Sequence, residues 1–181
     1  MNKAVFLDRD GVINQKALNT GYIIRWEDFH ILPGVPQAIA LLNAAGFLVI
    51  VVTNQRCIAL NLLSAPSLEK IHAKMCSALD SEGAHLAAVY FCPHDNLPPC
   101  SCRKPAPGML QAAAAEHNID LSASWMLGDS VSDIEAGKRA GAHTMLLTHS
   151  PNSADSTPDQ YAGSLLSAAH KILALNVVAD L

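Results

Sequence analysis

Residues 47–52 form a continuous apolar run, FLVIVV, and this run constrains the fold more than any other part of the chain. Its length and composition predict a β-strand that is covered on both faces. Shorter runs of the same kind occur at residues 5–7, 87–91, 124–127 and 144–147. Strands buried on both faces are typical of a parallel sheet with a layer of helices on each side.

Helical patterns separate these predicted strands. Apolar residues three or four positions apart, with Pro or Gly near several of the ends, predict helices at residues 35–45, 64–83, 107–115, 134–140 and 161–175. We therefore expect an α/β fold, a three-layer, Rossmann-like parallel sheet with helices on both faces. With 181 residues the chain is long enough for one such domain, which is predicted to span residues 1–181.

The composition argues against several classes of protein. Half of the residues are hydrophobic and 15% are charged, as in globular proteins and unlike disordered chains. A formal net charge of −4, without a run of Lys or Arg, disfavours nucleic acid binding. No apolar run approaches the roughly 20 residues of a spanning helix, and MNKAVFLDRD does not fit a signal peptide. We expect a cytoplasmic monomer or weak dimer that binds neither membrane nor nucleic acid.

Two carboxylates, Asp8 and Asp10, directly follow the first apolar run in the sequence VFLDRDGVIN. In an extended chain residues two apart project to the same side, so both can face one site while Arg9 points elsewhere. Their repulsion would raise one pKa unless a divalent cation such as Mg²⁺ lay between them. The pattern indicates a nucleophilic Asp8 with Asp10 as general acid and base; an ordinary Asp-rich turn is the alternative.

Polar residues also follow the second and fourth predicted strands. The Thr53 hydroxyl could hydrogen-bond a phosphate oxygen, although Thr is also common at strand ends. Asp129 could bind the same Mg²⁺ as Asp8. Asp133 could orient a metal-bound water or cap the helix predicted at residues 134–140, and these two roles are compatible.

Arg103 and Lys104 lie in a predicted loop before a helix. Two cations without matching acids nearby suit a phosphate, and Lys104 could also steady the charge on Asp8. A solvated charged face is the alternative for any isolated Arg-Lys pair.

Three of the five cysteines fall within eleven positions, next to a histidine. One imidazole and three thiolates, from Cys92, His94, Cys100 and Cys102, would complete a closed tetrahedral zinc site. Free buried thiols or a disulfide are the alternatives, and a reducing compartment favours metal over a disulfide. Zinc would pin this Pro-rich loop and thereby hold the adjacent Arg103 in place.

The stretches DRDGVIN, VVTNQ, CRKPAPGM and GDSVSD resemble, in this order, the four motifs of the haloacid dehalogenase superfamily of aspartate-nucleophile phosphohydrolases. With the cysteine-rich loop, they are similar to the capless branch that contains heptose bisphosphate 7-phosphatases and histidinol-phosphate phosphatase domains. The resemblance implies a capless fold with a zinc-binding loop and an Mg²⁺-dependent phosphomonoesterase that acts through an aspartyl phosphate. The implied substrate is a small sugar phosphate, first D-glycero-D-manno-heptose 1,7-bisphosphate; histidinol phosphate, or phosphate binding without catalysis, are alternatives.

The resemblance also implies roles for individual residues. The catalytic residues would be the nucleophile Asp8, the acid and base Asp10, and the phosphoryl-holding Thr53 and Lys104. Mg²⁺ would be bound by Asp8, the main-chain carbonyl of Asp10, and Asp129, with Asp133 behind them. The implied zinc ligands are Cys92, His94, Cys100 and Cys102. Substrate contacts are expected at Arg9, Gly21, Tyr22, Asn54, Gln55, Arg56 and Arg103.

The chain departs from the heptose phosphatase pattern at residues 56–61, where RCIALN replaces the usual SGIARG. Leu60 replaces the family's Arg, while a new cation appears at Arg56, and Ser130 stands where a Lys is common. A bisphosphate would miss these cations more than a monophosphate would. We therefore expect an intact hydrolytic centre with an altered specificity surface.

Overall fold

A sheet of six parallel strands lies at the centre of the fold, within the residues that the computed structural model describes, 1–17, 21–148 and 157–179. The strands are β1 (Ala4–Leu7), β2 (Leu48–Asn54), β3 (Ala88–Cys92), β4 (Trp125–Gly128), β5 (His143–Leu147) and β6 (Gln160–Ala162). The α-helices are α1 (Val35–Ala44), α2 (Ala65–Asp80), α3 (Gly108–His117), α4 (Val131–Ala140) and α5 (Leu165–Ala179).

Side chains alternate along the strands and so divide the apolar interior into two cores. Val5 and Leu7 of β1 pack in the core with residues of α1, α2 and α5. Ala4 and Phe6 pack on the opposite side with residues of α3 and α4. The predicted three-layer arrangement, with helices on both faces of a parallel sheet, is therefore confirmed.

The strand order β3-β2-β1-β4-β5-β6 creates a crevice beside β1. β1 pairs with β2 on one side and with β4 on the other, so the direction of winding reverses between β1 and β4. Ligands in open α/β sheets bind beyond the carboxyl ends of the strands at such a reversal. Asp8 follows β1 and Asp129 follows β4, so both carboxylates lie at this point.

The final helix differs from its prediction because its first residues form a strand. Residues 160–162 form β6, which pairs in parallel with β5, and α5 begins at Leu165. Edge pairing gives the backbone of β5 hydrogen-bond partners, a tertiary gain that apolar periodicity does not reveal. No helix among the described residues is long and apolar enough to cross a membrane. The expected location and oligomeric state stay predictions.

The fourth helix begins at Val131, three residues before its predicted start, because Ser130 caps it. The Ser130 hydroxyl and backbone N–H both donate to Asp133 Oδ2, at 2.6 and 3.1 Å. Asp133 therefore occupies the third helical position of a capping box. This fixes its carboxylate at the carboxyl edge of the sheet, facing the crevice beside β1.

Candidate active site

A buried lysine side chain contacts three separate segments of the chain inside the crevice. Lys104 Nζ lies 2.7 Å from Asp8 Oδ1 and 2.6 Å from Asp133 Oδ1, and it donates to the Val52 carbonyl at 2.8 Å. Its side chain is only 2% exposed. Although burial opposes the charged form, the two carboxylates raise the pKa of Lys104 above its usual range. The ammonium is thus a fixed positive charge beside the predicted nucleophile.

Negative charge is concentrated around this lysine. Carboxylate oxygens of Asp8, Asp129 and Asp133 lie within 4.8 Å of one another. Burial, with the charge of Asp133, raises the pKa of Asp8 to about 7 even though Lys104 opposes the shift. Crowded carboxylate oxygens are the hard ligands that Mg²⁺ prefers, so this donor set fits the expected metal.

Gly11 allows the turn after β1 to pass close to this carboxylate cluster. Its φ is +96°, and a Cβ atom there would stand 1.9 Å from Asp129 Oδ2. Any other residue would therefore be strained and would also displace a predicted metal ligand.

Asp10 is held by three side chains around its carboxylate. The Arg9 guanidinium donates to both oxygens at 2.9–3.2 Å, Asn14 Nδ2 donates to Oδ1 at 2.9 Å, and Gln55 Nε2 donates to Oδ2 at 3.0 Å. Burial would raise the pKa of Asp10, but the Arg9 charge and these hydrogen bonds together lower it. The Asp10 side chain remains 29% exposed, so it is fixed in direction yet reachable from the crevice.

The end of β2 anchors the loop that carries Lys104. Asn54 Nδ2 donates to the Lys104 carbonyl and Asn54 Oδ1 accepts from the Lys104 N–H, both at 3.0 Å. The neighbouring Thr53 hydroxyl accepts from Gln55 Nε2 at 2.9 Å. These hydrogen bonds hold Thr53 and Lys104, the residues predicted to hold the phosphoryl group, together at the end of β2.

A pocket of about 500 Å³ opens beside Lys104. Its lining combines cations, amides and prolines from the end of β2, the cysteine-rich loop, the residues that follow this loop, and α4: Asn54, Asn96, Pro99, Cys100, Arg103, Lys104, Pro105, Ala106, Ser132 and Arg139. Cations and amide groups of this kind suit a phosphorylated polar ligand.

A second cation lies on the outer rim of the site. Arg56 Nε donates to Asp95 Oδ1 at 2.5 Å, and Arg56 also hydrogen-bonds Tyr22. These bonds connect three segments: the loop after β1, the end of β2 and the cysteine-rich loop. The neighbouring Gly21 is exposed, with a φ of +71°.

The cysteine-rich loop gathers its four candidate ligands at one point. Cys92 Sγ lies 3.6 Å from Cys100 Sγ and 3.2 Å from Cys102 Sγ, and His94 Nδ1 lies 3.2 Å from Cys102 Sγ. These separations exceed a disulfide bond, and they approach the about 3.8 Å between thiolates on a tetrahedral zinc. Although burial opposes ionisation, hydrogen bonds from the Arg103 N–H and neighbouring thiols lower the pKa of Cys100 to about 7.

Comparisons with known proteins agree with this geometry. The family model described as HAD-hydrolase-like matches residues 101–168. The D-glycero-β-D-manno-heptose-1,7-bisphosphate 7-phosphatase of Pseudomonas putida is 40% identical over 145 residues, 80% of this chain and 82% of the relative. The D-glycero-D-manno-heptose-1,7-bisphosphate 7-phosphatase of Thermosynechococcus vestitus is 42% identical over 155 residues, 80% of this chain and 78% of that protein.

A solved structure extends the similarity to nearly the whole chain. The D,D-heptose 1,7-bisphosphate phosphatase from B. bronchiseptica, crystallised with magnesium and phosphate, matches with a TM-score of 0.85 and 33% identity. The match covers 96% of this chain and 99% of that chain. This chain belongs to the haloacid dehalogenase-like phosphatases. The family and the fold expected from its four motifs are confirmed.

Two expected substrate contacts lie inside this haloacid dehalogenase-like phosphatase rather than on its surface. Arg9 is 0% exposed, and its guanidinium donates to Asp10 and contacts His72. Gln55 is also buried, and its amide lies beneath Asp10 and Thr53. The polar groups of both residues are used to hold Asp10, and their direct contact with substrate stays a prediction. Asn54 and Arg103, in contrast, line the pocket.

The sequence reasoning missed three residues that contact the site of this phosphatase. Lys16 Nζ lies 2.7 Å from Asp129 Oδ2, Asn14 donates to Asp10, and His72 contacts Arg9. Asn14 and Lys16 follow the DRDG stretch closely, so their nearness in sequence was an available signal. His72 stands among the apolar residues that α2 buries, which marked it as a residue in need of a partner.

Proposed function

We propose that the chain is a D-glycero-D-manno-heptose 1,7-bisphosphate 7-phosphatase that acts through an aspartyl phosphate. The observation that carries the chemistry is the cluster of Asp8, Lys104 and Asp133, with Asp129 and Asp10 beside it, at the winding reversal of the sheet. The two relatives at 40 and 42% identity support the substrate.

The geometry supports a two-step reaction. Asp8 attacks the phosphorus atom and the bond to the sugar oxygen breaks. Because its pKa is lowered in the free protein, Asp10 first takes up a proton from solvent and then gives it to that oxygen. Asp10 then accepts a proton from water, which attacks the aspartyl phosphate, releases phosphate and restores Asp8. Lys104, 2.7 Å from Asp8, orients the nucleophile and balances charge on the transferring group. Thr53 at the adjacent strand end would hydrogen-bond the same group.

Mg²⁺ fits the carboxylate cluster of this site. Asp8, Asp129 and the main-chain carbonyl of Asp10 would hold it, with Asp133 fixing Lys104 behind them. When bound, the ion would reduce the repulsion between the anionic substrate and the nucleophile. We also assign Zn²⁺ to Cys92, His94, Cys100 and Cys102, where it would be structural because all four positions are filled by protein.

The pocket favours a phosphorylated sugar of modest size. Arg103 lines it together with Lys104, whereas Arg139, which also lines it, is paired with Glu135. Arg56 is paired with Asp95, and Leu60 supplies no charge. We therefore propose that Arg103 contributes the main distal contact, and contacts at Gly21 and Tyr22 stay predictions.

The test is kcat/KM with Mg²⁺ for both anomers of heptose 1,7-bisphosphate, a hexose bisphosphate, histidinol phosphate and several sugar monophosphates. A preference of about 100-fold for one heptose anomer, roughly 2.7 kcal/mol in transition-state binding, is expected. A preference for histidinol phosphate would assign that activity instead. A preference for sugar monophosphates would mean that the altered rim at residues 56–61 has changed the specificity. Binding of these compounds without turnover would contradict the phosphatase proposal.

A further inference from the structure

His72 is a polar residue on the buried face of α2. Its neighbours on that face, Leu68, Ile71 and Met75, are apolar and buried, and His72 itself is only 6% exposed. A buried imidazole is destabilising unless it has a hydrogen-bond partner. The partner is Arg9, whose Nη1 lies 3.0 Å from His72 Nε2.

The chemistry of Arg9 fixes the state of the His72 ring. A guanidinium donates hydrogen bonds and accepts none, so His72 Nε2 must carry a lone pair and the proton must be on Nδ1. Burial and the adjacent Arg9 charge lower the pKa of His72 to about 3, which keeps the ring neutral. The unprotonated His72 Nε2 therefore accepts a hydrogen bond from Arg9 Nη1.

The remaining donors of Arg9 are aimed at Asp10. Nε and Nη2 of Arg9 donate to the Asp10 carboxylate, while Nη1 turns to His72. The guanidinium also lies 5.7 Å from the centre of the Phe29 ring. The planar group is therefore held on two edges and one face, with no exposed surface of its own.

We infer that His72 is a positioning residue of this site: it fixes the Arg9 guanidinium, and Arg9 holds the Asp10 carboxylate where it serves as acid and base. The inference rests on the proposed function, since only a phosphatase requires Asp10 in that role. Without the acceptor at residue 72, Nη1 would have to find another partner and the guanidinium would turn. A small displacement of an acid or base lowers the rate of proton transfer strongly.

The test compares two phosphate esters in variants of one position. A sugar phosphate releases an alkoxide that needs a proton from Asp10, whereas p-nitrophenyl phosphate releases a stabilised anion that does not. His72→Leu should lower kcat/KM for heptose 1,7-bisphosphate about tenfold relative to kcat/KM for p-nitrophenyl phosphate. His72→Gln, whose side-chain oxygen can replace Nε2 as acceptor, should recover most of that ratio.

Leu68→Ala is the matched control, because it removes a fully buried side chain from the same helix face. It should lower the melting temperature and leave the ratio of the two esters unchanged. Equal losses for both esters in His72→Leu, or a His72→Gln ratio as low as that of the leucine variant, would reduce His72 to a structural role.

Nitrogen-15 NMR of the wild-type protein reports the protonation of the His72 imidazole and does not require any variant to fold. An unprotonated Nε2 at pH 7 is expected, and a protonated Nε2 would overturn the inference. If the wild type hydrolyses neither ester with Mg²⁺, the proposed function fails and the inference falls with it. If the wild type is active and His72→Leu leaves the ratio of the two esters unchanged, the inference is overturned and the proposed function stands.

Discussion

The site has two regions that differ in burial: the reaction centre around Lys104 and the rim around Arg56. Lys104 is 2% exposed and is fixed by two carboxylates and a carbonyl. Arg56 is 33% exposed, and its ion pair with Asp95 lies at the surface. Losing one partner of a buried ion pair costs about 3–5 kcal/mol of folding free energy, whereas a surface pair contributes little.

The difference teaches which parts of the molecule can vary. At the reaction centre each side chain satisfies another, so a single change leaves a buried charge without a partner. At the rim, residues exchange one solvent-exposed contact for another. The chain accordingly retains all four motifs and departs from the family pattern at residues 56–61. Its other departure, Ser130, lies at the reaction centre, where the hydroxyl donates to Asp133.

Asp8→Asn should have the largest effect on activity. The amide is nearly isosteric with the carboxylate but is a poor nucleophile, so kcat should fall by about 10⁴-fold or more. Steady-state kinetics with Mg²⁺ measure the loss of activity, and thermal unfolding checks that the fold is retained. Asp120→Asn, at an exposed turn, is the control and should keep full activity. Turnover within tenfold of wild type would remove Asp8 from the nucleophile role.

Lys104→Met should lower both activity and stability. The variant leaves Asp8 and Asp133 side by side without their shared cation, so kcat should fall about 10³-fold. The unfolding free energy should decrease by about 3 kcal/mol, measured by urea denaturation without Mg²⁺. Lys138→Met, on the exposed part of α4, is the comparison. An unchanged unfolding midpoint would show that the buried ammonium is not stabilising.

Zinc removal should have an intermediate and indirect effect. A chelator selective for zinc, used with excess Mg²⁺, should free the loop that carries Arg103 and Lys104. We expect a lower melting temperature and a several-fold loss of kcat, both restored by added zinc. Cys76→Ser lies outside the ligand cluster and should leave the zinc content at one ion per chain, measured by elemental analysis. A chelated protein with unchanged thermal stability would exclude a structural zinc.

Arg56→Ala should have the smallest effect and should act on substrate choice alone. It breaks the rim contacts with Asp95 and Tyr22, so KM for the heptose bisphosphate should rise about threefold. The kcat for p-nitrophenyl phosphate should stay unchanged, because this ester does not reach the rim. A parallel fall of kcat for both esters would contradict the separation between centre and rim.

The sequence was most informative where an apolar run ends in charged residues. VFLDRDG predicted both the strand and the carboxylates that follow it, and the structure places Asp8 at the carboxyl edge beside Asp129. The cysteine and histidine spacing likewise predicted a four-residue cluster that the fold assembles. Both predictions rest on local features of the sequence, namely strand length and residue spacing.

Sequence reasoning did not identify hydrogen-bond partners that lie far along the chain. Arg9 was expected among the substrate contacts, yet His72, 63 positions away, and Asp10 hold it inside the protein. β6 was predicted as the start of a helix because its pairing with β5 depends on a neighbouring strand rather than on local pattern. Gln55 follows β2 as expected, but it is buried and its amide donates to Asp10, 45 positions away.

By itself, the sequence determined the α/β class, the order of the motifs and the residue types that perform the chemistry. Only the tertiary structure decided which of these residues line the pocket and which hold others in place. Lys104 reaches Asp8 across 96 positions because hydrogen bonds to Asn54 and Val52 hold it at the end of β2, which lies beside β1 in the sheet. Such contacts depend on strand order and on the need of every buried charge for a partner, and neither is written in local periodicity.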